Sequence, residues 1–201
     1  MKKSLIALAA LCLVSAPAFA APVVGEAAPT FSATDTKGNT VKLEDYKGKT
    51  VVLEWTNHGC PFVRKHYDSG NMQKTQKQAI DEGAVWLSVI SSAEGKQGHV
   101  TGAEADKLTE DRGAAPTAVL LDPAGEIGKL YDAKTTPHMF VIDPRGMLVY
   151  AGAIDSIPSP FPSDIGKAEN YVMSALADMK AEKPVQTAVT TAYGCSVKYA
   201  E

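Results

Sequence analysis

Cysteine is scarce in this chain. Three occur in 201 residues, at positions 12, 60 and 195. No two are near neighbours, so the closely spaced thiol pair that soft copper requires is absent. Positive charge is not in excess either. There are 20 Lys and Arg against 23 Asp and Glu, a formal net charge of −3, and no basic stripe, which argues against nucleic-acid binding. Long apolar runs are missing except near the N-terminus, and that run, Leu5 to Val14, is too short for a permanent bilayer-spanning helix. No internal repeat occurs, nor any linker long enough to split the chain.

What the N-terminus does carry is a leader pattern. Lys2 and Lys3 precede the apolar run, and Ala18-Phe19-Ala20 forms an A-x-A cleavage signal. Leu11 is bulky where a lipobox before Cys12 needs a small residue. Cleavage after Ala20 and a soluble exported protein, periplasmic or otherwise, are expected, with no stable membrane anchor. Removing residues 1–20 takes two lysines and no acid, leaving 18 basic against 23 acidic residues and a net charge of −5. About 180 residues remain, enough for one α/β domain over 21–182 with a tail, 183–201, that carries Cys195. Cys60 and Cys195 are then a pair in an oxidising compartment.

The chain is organised around residues 51–67, VVLEWTNHGCPFVRKHY. Val51, Val52, Leu53 and Trp55 predict a strand buried on both faces. Asn57-His58-Gly59 predicts a turn, and Pro61 opens a helix, since its missing N–H would have no partner in the first turn. Cys60 is then the helix N-cap, facing free N–H groups and the positive end of the helix dipole. Such a site lowers a cysteine pKa by one or more units from about 8.5 and makes thiolate, the nucleophile. The alternative for a lone cysteine is a small buried hydrophobe.

Further along, Gly70 interrupts the helix and Gly83 stops its continuation. Ala84 to Ser91 predicts a second buried strand, and Thr101 with Glu104 a capping box for a helix to about Arg112. Thr117–Leu121 and His138–Ile142 predict strands, Asp143-Pro144-Arg145-Gly146 a hairpin turn, Met147–Ile154 its second strand, and Gly166–Ala181 an amphipathic helix. Short strands are also expected at Phe31–Ala33 and Thr40–Leu43. This order predicts an α/β fold, a mixed sheet with helices on both faces.

Val51 to Val63, Thr136-Pro137-His138-Met139-Phe140-Val141-Ile142-Asp143 and the Gly146 hairpin together resemble a thioredoxin-fold protein of the redoxin group, which includes alkyl hydroperoxide reductase and thiol-specific antioxidant proteins. The resemblance covers about residues 24–181. GCPFVRKHY with the late YGCSVKY is similar to exported redoxin-domain proteins. The resemblance implies a thioredoxin-like sheet, Cys60 as nucleophile, and Glu54 as a buried acid that relays its protons, with a pKa raised by burial. It also implies a cis peptide at Thr136-Pro137, with Thr136 backbone groups facing Cys60 and binding extended substrate chains.

The chain departs from the group in places. Val63 stands where thioredoxins have a second cysteine, so no local CxxC disulfide forms. Asn57 replaces the threonine that peroxiredoxins place three residues before their cysteine, although its amide offers a donor to a peroxide. No arginine opens strand 138–142; Arg64, one turn beyond Cys60, supplies that charge instead. Cys195 is either a resolving thiol that forms a disulfide with Cys60 or half of a permanent staple. The expected substrate is a peroxide or a protein disulfide, with an exported thiol reductant as partner. A copper site at His58, Cys60, His66 and His138 is the rival from another class, as is a non-catalytic binding module. No cofactor or metal is expected.

Overall fold

A computed structural model describes residues 21–200. The leader reading lies outside them, apart from the expected cleavage point at their edge.

The central strand is β3, Val51–Trp55, with every residue buried. It runs parallel to β4, Val85–Ile90, and antiparallel to β7, His138–Ile142. β4 pairs parallel with β5, Ala118–Leu121, and β7 antiparallel with β8, Leu148–Gly152. The lead-in strands β1, Ser32–Asp35, and β2, Thr40–Lys42, close the other edge. The sheet order is β2-β1-β5-β4-β3-β7-β8. The mixed α/β sheet predicted from the order of elements is therefore present.

Alternation along β3 sorts the two cores. Leu53 and Trp55 face Phe31, Ile127, Tyr131 and Phe140, beside helix α4, Glu126–Leu130. Val52 faces the layer made by α1, Pro61–Asp68, α2, Asn71–Asp81, and α5, Tyr171–Lys180. Helix α3, Gly102–Asp111, covers Val119 on the same side as α1. Each large apolar side chain so buried contributes roughly 1.5–3 kcal/mol relative to exposure.

Local signals hold where a side chain or a glycine enforces them. Gly70 adopts φ +74° at the break between α1 and α2. Thr101 and Glu104 form the reciprocal capping box that starts α3. The last helix begins later than the predicted Gly166. Residues Pro162–Lys167 form a 3-10 turn, and Asn170 caps α5 by accepting from the Met173 N–H at 3.1 Å. Strand β8 ends at Gly152, short of the predicted Ile154. The tail is more ordered than its composition suggests. Cys195–Ser196 forms a two-residue strand, β9, against β6, Thr135–Thr136.

Candidate active site

Cys60 occupies the N-cap of α1 with extended backbone, and Pro61 follows at the first helical position. Its neighbour across the site is Thr136, held by a cis peptide to Pro137. The Cys60 thiol donates to the Thr136 carbonyl oxygen at 3.1 Å. The outer edge of Thr136 pairs with Cys195 in antiparallel register. The two cysteines, 135 positions apart in sequence, thus meet across one backbone strand. Both are free thiols.

The pair is electrostatically unequal. Burial pushes the Cys60 thiol up. The Cys195 thiol, the Val63 and Cys195 N–H groups and the Thr136 side chain more than offset this by hydrogen bonding its ionised form, so its pKa falls below the ordinary cysteine value. Cys60 makes no side-chain cap hydrogen bond; the Val63 N–H favours its charge from the first turn of the helix. Cys195 moves the other way, to about 11, because burial disfavours its charge and because its proton is shared with Cys60. Of the two, Cys60 is the thiol that ionises first.

Cys60 has no exposed surface. Cys195 is partly exposed and packs against the same apolar cluster. The tail is what covers the nucleophile. Its hold continues past Cys195: Val197 N–H donates to Lys134 O at 3.0 Å, and the Tyr199 hydroxyl to Ala133 O at 2.7 Å.

The remaining predicted residues are placed as follows. Glu54 is fully buried and accepts from the Tyr67 hydroxyl (2.8 Å), Gln76 Nε2 (3.2 Å), Trp86 Nε1 (2.8 Å) and the Ser88 hydroxyl (2.9 Å). All four donors are neutral. No hydrogen bond joins Glu54 to Cys60 among the described residues; its contact on α1 is Tyr67, about 10 Å along the helix from the nucleophile. A cavity of about 40 Å³ lined by Thr56, Tyr67, Ser88 and Arg112 lies beside this nest. Asn57 is engaged by two loops: Oδ1 accepts from Gly59 N–H at 2.9 Å in its own turn, and Nδ2 donates to Gln97 O at 3.1 Å in the loop after β4. Arg64 lies at the surface, 62% exposed, and faces Asp68 at 3.4 Å.

The histidines do not converge. His58 lines the cavity beside α3, His138 stacks on Phe140 at 4.4 Å, and His66 is buried against Asn71 and Asp155. No group of three His, Cys, Asp or Glu side chains suited to a metal occurs among the described residues.

Residues 24–151 match the AhpC/TSA family. The chain belongs to that family. The thiol-disulfide oxidoreductase ResA of Geobacillus kaustophilus is a relative 30% identical over 127 residues, which cover 58% of this chain and 73% of that protein. Among solved structures, an uncharacterized conserved protein from Geobacillus kaustophilus is similar with a TM-score of 0.75 at 26% identity, over 89% of this chain and 93% of that one. A putative thiol:disulfide interchange protein DsbE from Chlorobium tepidum is similar with a TM-score of 0.53 at 26% identity, over 65% of this chain and 85% of that one. The AhpC/TSA match ends at residue 151, so Asp155 and the whole tail, Cys195 included, lie beyond it. No helix among the described residues is long and apolar enough to cross a membrane.

Two side-chain clusters near the site are not legible in the sequence. Buried Lys65 and Asp155 meet half-buried Tyr193 on the helix that Cys60 caps, and Tyr67, Gln76, Trp86 and Ser88 surround Glu54. No local signal marks them: Lys65 stands two residues from both Val63 and Tyr67, off the stripe those two form on α1.

Proposed function

We propose that this thioredoxin-fold thiol–disulfide oxidoreductase works in an exported compartment, most simply the periplasm, by cycling Cys60 and Cys195 between dithiol and disulfide, with a disulfide as its substrate. The observation that carries the reading is that two free thiols meet at one residue: the Cys60 thiol donates to the Thr136 carbonyl at 3.1 Å, and Cys195 pairs with Thr136 in register.

The steps balance as follows. With the tail lifted from Thr136, Cys60 thiolate attacks a substrate disulfide, forms a mixed disulfide and expels one substrate thiolate, which takes a proton. Cys195 gives up its proton and attacks the Cys60 sulfur, expelling the second substrate thiolate. The substrate gains two electrons and the cysteine pair loses two. An exported thiol reductant reverses the change. Its first thiolate attacks Cys195, the more exposed sulfur, and expels Cys60, whose lower pKa makes it the better leaving group. Its second thiol then frees Cys195.

Disulfide exchange is favoured over peroxide reduction because the groups expected to bind a peroxide are engaged elsewhere. The Asn57 amide serves Gln97 and Gly59, and Arg64 faces Asp68 at the surface. Glu54 makes no contact with the sulfur; in this reading it fastens α1 and α2 to β3 and β4, and any proton it exchanges passes through Tyr67 or Ser88.

The test is turnover of a peptide disulfide and of hydrogen peroxide, each with dithiothreitol as reductant. Cys60→Ser is expected to lower disulfide turnover by roughly a thousandfold, and Cys195→Ser to accumulate a mixed disulfide on Cys60 visible by mass. Unchanged turnover in Cys60→Ser, or a Cys60–Cys195 bond that mild thiols cannot open, would replace this reading with a non-catalytic module stapled at its tail.

A further inference from the structure

Five residues after Cys60 on the same helix, Lys65 is buried with 1% of its surface exposed. Its ammonium donates to Asp155 Oδ2 at 2.8 Å, to Ile157 O at 2.9 Å and to the Tyr193 hydroxyl oxygen at 3.3 Å. Three N–H groups thus meet three acceptors, the condition under which a buried ammonium is tolerated. Asp155 is equally enclosed, at 3%. Its Oδ1 accepts from the Ile157 N–H at 3.1 Å and from the Tyr193 hydroxyl in a very short bond. The Tyr193 ring lies 5.5 Å from the Lys65 ammonium and meets Phe62 edge-on at 5.8 Å.

Tyr193 belongs to the tail, two residues before Cys195. Between them Gly194 adopts φ +136°, and a Cβ there would lie 2.0 Å from the Thr136 carbonyl oxygen. Only glycine permits that approach. The sequence Tyr193-Gly194-Cys195 therefore reads as anchor, close-approach link and thiol. The downstream tail is tied to Lys134, Ala133 and Ala93. Tyr193 instead ties it to α1, the helix that carries Cys60 at its cap. A two-residue pairing such as Thr136 with Cys195 has little stability of its own, so the distance between the sulfurs depends on what holds the tail to that helix.

We propose that Lys65 and Asp155, acting through Tyr193, are positioning residues that set the equilibrium between the Cys60–Cys195 dithiol and its disulfide. The inference rests on the reversible disulfide proposed above. The reaction read is the balanced exchange of the protein dithiol with oxidised glutathione, giving the protein disulfide and two molecules of reduced glutathione. Its equilibrium constant follows the effective concentration of one thiol at the other.

Tyr193→Phe keeps the ring against Phe62 and removes only the hydroxyl. It is expected to lower the equilibrium constant about tenfold, which raises the potential by about 30 mV, and to speed alkylation of the covered Cys60 by iodoacetamide. Gly194→Ala, which pushes Cys195 off Thr136, is expected to act in the same direction. In an Asp155→Asn background, Tyr193→Phe should have a smaller effect, because the bond it removes has already lost its charge. A purely structural role would lower the melting temperature of Tyr193→Phe and leave its potential unchanged, which would overturn this inference alone. If the wild type forms no Cys60–Cys195 disulfide at any glutathione ratio, both this inference and the reversible cycle fall. If the wild-type bond forms and shifts in Tyr193→Phe, both stand.

Discussion

Two carboxylates are buried beneath the same helix, and they are satisfied in opposite ways. Glu54 takes four hydrogen bonds from neutral side chains and touches no cation. Asp155 takes a lysine ammonium, a phenol and a backbone N–H. The first nest lies within the family match and joins strands β3 and β4 to helices α1 and α2. In the second only Lys65 lies within it; Asp155 and Tyr193 lie beyond, and the nest joins α1 to the tail. The difference teaches that the sheet-side nest holds the shared scaffold together, while the charged nest fastens the segment that brings a second thiol to the site.

Removing the cation should hurt more than softening the neutral nest. Lys65→Met leaves Asp155 buried without its charge partner and is expected to cost about 3–5 kcal/mol in urea unfolding; a cost near zero would break the comparison. The next effect is read through pH. His66 accepts from Asn71 at Nδ1 and holds its Nε2 3.8 Å from Asp155. Burial keeps it neutral, with a pKa lowered to about 4, Asp155 opposing and Lys65 reinforcing that shift. An unfolded histidine titrates near 6.5. As pH falls below 6.5 the unfolded chain takes the proton first, so this contribution is present above 6.5 and lost towards pH 4. Between pH 7.5 and 5 the loss from His66 is about 2 kcal/mol, and His66→Asn should remove that part of the slope. Glu54→Gln keeps the shape and turns one amide donor towards existing donors, for an expected cost of about 1.5 kcal/mol. It should leave the disulfide potential unmoved, whereas Tyr193→Phe moves it. The smallest change belongs to Cys195→Ala, which removes one hydrogen bond to the Cys60 thiolate and should raise the Cys60 pKa measurably without unfolding the chain.

The same comparison explains what could be read from residues alone. Val51 to Trp55, the Cys60-Pro61 cap, Gly70, the Thr101–Glu104 box and the Asp143–Gly146 turn are local patterns, each enforced by its own neighbours, and each appears in the structure. Glu54 was legible as a carboxylate in an apolar run, but not its donors, which come from α1, α2 and β4. Cys195 was legible as the leftover thiol. Its pairing with Thr136 was not, because a two-residue strand has no periodicity. The Lys65–Asp155–Tyr193 cluster spans 128 positions, and none of its members stands out by type. Arg64 and Lys65 are adjacent cations; only the packing of α1 decides that one meets solvent and the other is sealed.

Two thiols of unequal acidity are resolved by following thiolate absorbance in the ultraviolet as the pH is raised. The reduced protein should show two separate cysteine steps: one below the ordinary cysteine value, absent in Cys60→Ser, and one near 11, seen above the tyrosine titration and absent in Cys195→Ser. A single step in the ordinary range for both thiols, or an early step that survives Cys60→Ser, would contradict it.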